Sequence, residues 1–320
     1  MAAGLDASPR LGRACAHGWV AAALTALAAV ILFFPVLTGL TAQWFSDDDA
    51  AYGVIVAAVA ALLFVQRWPR VRSLPLRGSN AGVALLAGAC ACYVIGTIAA
   101  DVFLVRLSFP LLIAEGVLFL AGPAHVRALA APIALCFVAI PLPSALVTQL
   151  TMPLQLMASQ CAAAILNGVG VPAVRDGNVL TLSYITLEVV EACNGMRSLV
   201  TLAALVAVYA AMRELPLRRV ALLLLVTVPV ALAGNGLRVA ATALLAGQMG
   251  ADAARGAIHD ATGWVAFALM ATLIFGSESI SNRFRTRPEL IPNQSRTGSE
   301  CGDGATQPGG TNGSQFLHTA

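Results

Sequence analysis

The strongest constraint on this chain is a rhythm. Apolar runs close to 20 residues long recur along it, and arginines collect in every second loop between them. A run of about 20 apolar residues, coiled as helix, matches the roughly 30 Å hydrocarbon core of a bilayer. Inside lipid, a helix is the form in which one isolated segment satisfies its own backbone. The chain is therefore expected to be an all-α polytopic membrane protein. Its composition agrees: 58% of residues are hydrophobic and 11% charged, against about 45–50% and about 25% in soluble domains. The arginines sit in short loops rather than on a basic face, so the partner they indicate is the bilayer and not nucleic acid.

Charge placement orients the runs. A first span, Trp19–Leu40, is followed by Asp47, Asp48 and Asp49; a second, Ala51–Val65, ends in Arg67, Arg70, Arg72 and Arg77. The arginine cluster marks the cytoplasmic side, so the aspartates lie outside and the N-terminus inside. Arg10 and Arg13 precede a run too long for a cleaved leader, which reads as a retained span. Ala81–Ala100 and Val102–Leu120 form the third and fourth spans around an outer turn at Asp101, with Arg106 and Glu115 inside the fourth. Intramembrane charges face a protein interior or a watery cavity. A fifth span begins near Ala128 and breaks at Pro141-Leu142-Pro143.

Ser144–Leu166 is long enough to cross, but its glutamines, Ser159 and Pro153 favour an amphipathic helix in the outer interface. Were it a span, Arg213, Arg218 and Arg219 would fall outside. Val171–Val190 alternates in strand fashion around Asp176-Gly177, a turn signal, and predicts a small outer β-hairpin or meander. Gly195–Met212, Val220–Leu245 and Gly263–Phe275 complete about eight transmembrane helices. The expected organisation is a cytoplasmic segment 1–18, a membrane domain 19–276 and a disordered cytoplasmic tail 277–320, rich in Ser, Gly, Asn and Thr.

Seven cysteines without a spacing pattern argue against a disulfide framework, and no Cys-x-x-Cys or other ligand set calls for a metal or cofactor. Cys90, Cys92 and Cys136 sit in apolar runs as small hydrophobes. Cys193 differs. It lies in Glu191-Ala192-Cys193-Asn194-Gly195-Met196-Arg197, where the strand-like stretch gives way to a span. A helix N-terminus favours thiolate. Counting at about 1.5 Å per helical residue, Arg238 climbs back to the level of Cys193, and His259 belongs to the next outer loop. A thiolate to attack an acyl carbonyl, a histidine to carry the proton and an arginine to meet the oxyanion suit peptide-bond cleavage through a thioester. Taken singly, each has a plainer reading: an inert boundary cysteine, a snorkelling arginine, a loop histidine. Arg197 is either a second anion contact or a partner of Glu191 or Glu188; Arg106 and Glu115 read as structural, and Asp47–Asp49 as solvated charge.

In these residues the chain resembles the exosortase/archaeosortase family. The resemblance is carried by 191–197, Asn235-x-x-Arg238, and His259 ahead of Gly263-Trp264. Ile140-Pro141-Leu142-Pro143, Pro153-Leu154-Gln155, Gly177-Asn178, and Trp44 with Asp48 and Tyr52 add to it. One departure is Tyr52-Gly53-Val54, where the family often shows a Tyr-Ser-His-Gly-like run. The resemblance implies a cysteine endopeptidase or transpeptidase of the bacterial inner membrane, with its active site on the periplasmic face. It would cleave C-terminal sorting signals (a Pro-Glu-Pro motif, a transmembrane helix and a basic tail) of exported proteins. Water, an exopolysaccharide or a lipid would be the acceptor. By position Cys193 is the nucleophile, Arg238 the transition-state stabiliser and His259 the acid/base, supported by Glu191, Asn194, Arg197 and Asn235. The competing class is a transporter or scaffold of an exopolysaccharide export system, with Arg106 and Glu115 lining a path; an acyltransferase using the same thiol would differ only in acceptor.

Overall fold

In a computed structural model the apolar runs are helices. It describes backbone residues 8–189, 195–250 and 257–285, and the side chains of 27–189, 195–250, 261–276 and 278. The order is α1 (Ser8–Ser46), α2 (Tyr52–Arg72), α3 (Ala81–Ile98), α4 (Val102–Leu120), α5 (Pro123–Ala128), α6 (Ala130–Val138) and α7 (Ser144–Gly168). Then come β1 (Ala173–Asp176), β2 (Val179–Leu182), β3 (Thr186–Glu188), α8 (Met196–Arg213), α9 (Leu217–Met249) and α10 (Ala257–Arg285). Large apolar side chains such as Ile31, Phe34, Ile55, Ile98, Trp264 and Leu273 stand exposed along the helices. On a membrane protein these are the lipid-facing positions.

Among the described residues, six helices are long and apolar enough to cross a bilayer: the Leu27–Ser46 part of α1, then α2, α3, α4, α8 and α9. The eighth expected span, Gly263–Phe275, lies within the apolar stretch Ala261–Gly276 of α10, a helix that continues to Arg285. Residues 286–320 lie outside the described residues. The fifth expected span is the nine-residue α6, and the expected inner loop before it holds the six-residue α5; the two helices are divided at Leu129. The division has a local cause. Pro132 carries no N–H, so the Ala128 carbonyl, four residues earlier, lacks its helical donor. Arg67 supplies one, its Nη1 donating to Ala128 O at 3.0 Å.

The same arginine donates from Nη2 to Glu214 Oε1 at 2.8 Å and to Ala211 O at 3.5 Å. It thereby joins α2, α5 and the end of α8 at the arginine-bearing end of the bundle. At the opposite end Asp101 caps α4, accepting from the N–H groups of Phe103 and Leu104. There too Trp44 Nε1 donates to Ala139 O (3.0 Å) and Tyr52 Oη to Ile140 O (3.5 Å). Pro141 and Pro143 offer no N–H to those carbonyls, so the two aromatic donors finish α6. Gly53 is small because the Trp44 indole occupies the space of a side chain.

The predicted meander is present as a three-stranded antiparallel sheet in the order β1-β2-β3. Asp176 pairs with Val179, which leaves Gly177-Asn178 as a two-residue turn, and Gly177 takes φ 60 there. A positive φ at the first central position is what a tight hairpin asks of glycine. Leu180, Leu182 and Val189 are buried with Ala158, Ala162 and Leu166 of α7 and Val239, Ala240 and Ala243 of α9. The start of β1's outer edge is capped by α7: Asn167 donates from Nδ2 to Ala173 O and accepts the Ala173 N–H, both at 3.0 Å. On the β2–β3 loop Tyr184 Oη donates to Ala243 O (3.2 Å), its ring lying over Gly247. Helix α7 is not among the membrane-crossing helices; it lays a face of small residues along α9.

Candidate active site

Helix α9 positions most of the site. Its 33 residues amount to about 50 Å, longer than the roughly 30 Å apolar core. Within it stands Gly234-Asn235-Gly236. Glycine in a helix costs about 1 kcal/mol relative to alanine, so two in three residues require a packing reason. Met270 of α10 fills the space beside Gly234, and Cys161 of α7 the space beside Gly236. The glycines admit one helix on each side, and Asn235 between them is buried, 2% exposed.

Asn235 meets the start of α8. Gly195 adopts φ 82, the left-handed region, at the residue before that helix. A Cβ there would fall 2.9 Å from Asn235 Cγ and Nδ2. Only glycine suits both the backbone and the space. One turn further along α9, Arg238 runs beside α10: a Cβ on Gly263 would lie 3.4 Å from Arg238 Nε and 3.5 Å from its Cζ. The backbone of α10 places His259 one turn before Gly263. Three elements far apart in sequence thus come to one level: the chain entering α8, the Asn235–Arg238 turn of α9, and the beginning of α10.

Among the sequence-predicted site residues, Asn235 and Arg238 are brought together with Gly195 and Gly263. Cys193, Glu191 and Asn194 lie outside the described residues, as does the His259 side chain. Arg197 departs from expectation. Among the described residues its partners are in the first outer loop: Nε meets Asp49 Oδ1 at 2.6 Å and Nη1 meets Asp48 Oδ2 at 3.6 Å, while Glu191 lies outside the described residues. Asp48 and Asp49, read as solvated charge, therefore tie the α1–α2 turn to the start of α8. Arg106 donates to Gln43 Oε1 and, at 3.4 Å, to Gly39 O, fastening α4 to α1. Glu115, nine residues on, is buried at 9% exposed. Sequence reasoning named Gly195 and Gly263 only as motif members and gave no packing role to them, Gly234 or Gly236; the doubled glycine around Asn235 was the signal available.

The family comparison decides the affiliation, since the model for transmembrane exosortases matches residues 44–276. The chain belongs to the transmembrane exosortase family. The match takes in the α1–α2 turn, the sheet and the whole α8–α10 junction. No curated protein and no solved structure matches the chain. As an exosortase it is a membrane protein of a protein-sorting enzyme family, with a convergent polar junction at the sheet-bearing end of its helices.

Proposed function

We propose that this exosortase is a cysteine endopeptidase and transpeptidase that cleaves a C-terminal sorting signal of the Pro-Glu-Pro type. The observation that carries the reading is the α8–α9–α10 convergence. Gly195, two residues after Cys193, lies against Asn235; Arg238 lies against Gly263, one turn after His259. Two residues of chain reach at most about 7 Å, which supports assigning Cys193 to this junction.

The chemistry follows from the groups. Cys193 thiolate attacks the scissile carbonyl carbon, forming a C–S bond while the carbonyl π electrons move onto oxygen. The Arg238 guanidinium stabilises that oxyanion. As the oxyanion collapses the C–N bond breaks, and His259 imidazolium gives its proton to the departing amine. The thioester then passes to a hydroxyl, an amine or water: His259 takes the acceptor's proton, and Cys193 leaves as thiolate. The site faces the periplasm, because the opposite end carries the arginine loops. Asn235 positions the chain at Gly195. Arg197, held by Asp49, orients the first turn of α8. The transporter alternative has no comparable convergence in its favour, since Arg106 is engaged by Gln43 and Gly39.

The test is processing of a co-expressed protein ending in such a signal. Cys193→Ala and Cys193→Ser are each expected to reduce cleavage at least about a thousandfold, the scale of losing a nucleophile. Mass spectrometry of the wild-type enzyme should find the acyl fragment on Cys193. Processing at the normal rate by Cys193→Ala overturns the reading.

A further inference from the structure

We infer that the free edge of β3 is the docking rail for the substrate, which adds to the sheet as a fourth, extended strand leading to Cys193. The inference rests on the proposed peptidase function and concerns how that site takes its substrate.

The two edges of the sheet are treated differently at their ends. On β1 the outward N–H and C=O of Ala173 are both taken by Asn167, and Arg175 is the other residue that faces out. On β3 the register decides which groups face out. Leu182 N–H donates to Ile185 O (2.8 Å) and Val189 N–H to Asn178 O (2.9 Å), bracketing the Leu180–Leu187 pair between them. In an antiparallel ladder bonded and non-bonded pairs alternate. Ile185, Leu187 and Val189 therefore bond inward to β2, and Thr186 and Glu188 turn their N–H and C=O groups outward. No described residue accepts or donates there. Both residues are exposed, so the edge is open rather than buried.

Such an edge invites pairing and is ordinarily blunted by charge, proline or a covering element. Here the strand has no proline, and its one charged side chain is drawn back: Asn178 Nδ2 donates to Glu188 Oε1 at 3.4 Å. The sheet behind the edge is firmly seated through Leu180, Leu182 and Val189 on α7 and α9. An unpaired, anchored edge is the starting point for recognition by strand addition, in which backbone bonds give affinity. Its position suits a peptidase. Glu188 precedes Cys193 by five residues, at most about 18 Å of chain, within the reach of one short extended segment. The edge offers two sets of donor and acceptor two residues apart. A segment with proline on either side of a single residue fits this spacing, because alternate residues of a strand turn their N–H away from the partner and lose nothing when that N–H is absent. The occupant is thus an extended polypeptide, proline at alternate positions included, lying just outside the bilayer.

The test uses the full-length enzyme in membranes and a substrate protein carrying a Pro-Glu-Pro signal. Thr186→Pro and Glu188→Pro each delete one outward N–H, a replacement that an edge strand tolerates, whereas Leu187→Pro deletes an inward one and should unfold the sheet. Each outward variant is expected to keep the wild-type melting temperature and lower kcat/KM about tenfold or more. Wild-type processing by both folded variants overturns the inference. Should either variant melt early, the decision passes to crosslinking. Thr186→Cys in a Cys193→Ala background should form a disulfide with a cysteine placed in the substrate's extended segment. A disulfide forming as readily with a cysteine placed far from that segment, or none at all, overturns the inference. Cleavage surviving in Cys193→Ala is a separate result: it removes the peptidase reading and leaves the edge without a substrate to guide.

Discussion

The two ends of the helical bundle both hold a half-sheltered arginine, and they use it in opposite ways. At the end bearing the arginine loops, Arg67 is 16% exposed and donates to the carbonyls of Ala128 and Ala211 and to Glu214. A cation set on helix-terminal carbonyls meets the negative end of the helix dipole. Its work is to finish backbones. At the sheet-bearing end Arg238 lies alongside Gly263, with Asn235 one turn away against Gly195. There the neighbours of the polar groups are glycines, and close backbone approach keeps bulk away from them. An arginine packed on carbonyls finishes helices, while one packed beside glycines sits where two helices approach closely.

The comparison is broken most easily at Gly195. Gly195→Ala forces a side chain into the left-handed region, about 1–2 kcal/mol, and into the Asn235 amide, about 1–3 kcal/mol more. A loss of about 3 kcal/mol in unfolding free energy and of most processing is expected; a stable, active variant would show that the glycine contact is dispensable. The next effect is at the other end. Arg67→Ala strands two carbonyls and should cost about 2 kcal/mol, read as an earlier melt, with turnover per folded molecule unchanged. A fall in turnover at constant stability would mean that the ends communicate. Smallest is Asp49→Asn, which removes an ion pair whose side chains are 56% and 60% exposed. Its effect should stay within about 1 kcal/mol and shrink further in salt. A larger effect would move the α1–α2 turn from the periphery into the site.

What the sequence disclosed follows from where the determining forces are local. The crossing helices were legible because apolar run length alone decides them. The meander was legible because alternation and Asp176-Gly177 are nearest-neighbour signals. The boundary before α6 was legible from His125 and Arg127 ahead of the apolar run, but its support was not: Arg67, 61 residues from Ala128, supplies the donor that Pro132 lacks. The contact of Arg197 with Asp49, 148 residues earlier, was not read for the same reason: the candidates weighed, Glu188 and Glu191, were near in sequence. At the site, Asn235 and Arg238 stood out by chemistry. The glycines that hold them together carry no side chain to announce a role, and only the packing of α7, α8 and α10 gives them one.

The glycine pair around Asn235 has a mechanical consequence. Successive helical residues are turned by about 100°, so notches two residues apart open on nearly opposite flanks of α9. Met270 sits in one and Cys161 in the other, like two pins set into a shaft. So held, α9 can neither roll nor slide without unseating both. Asn235 and Arg238, cut on the same shaft, keep a fixed phase relative to their neighbours. A bulkier side chain at Met270 or Cys161 would register at the site as an angular error, with no group there chemically altered.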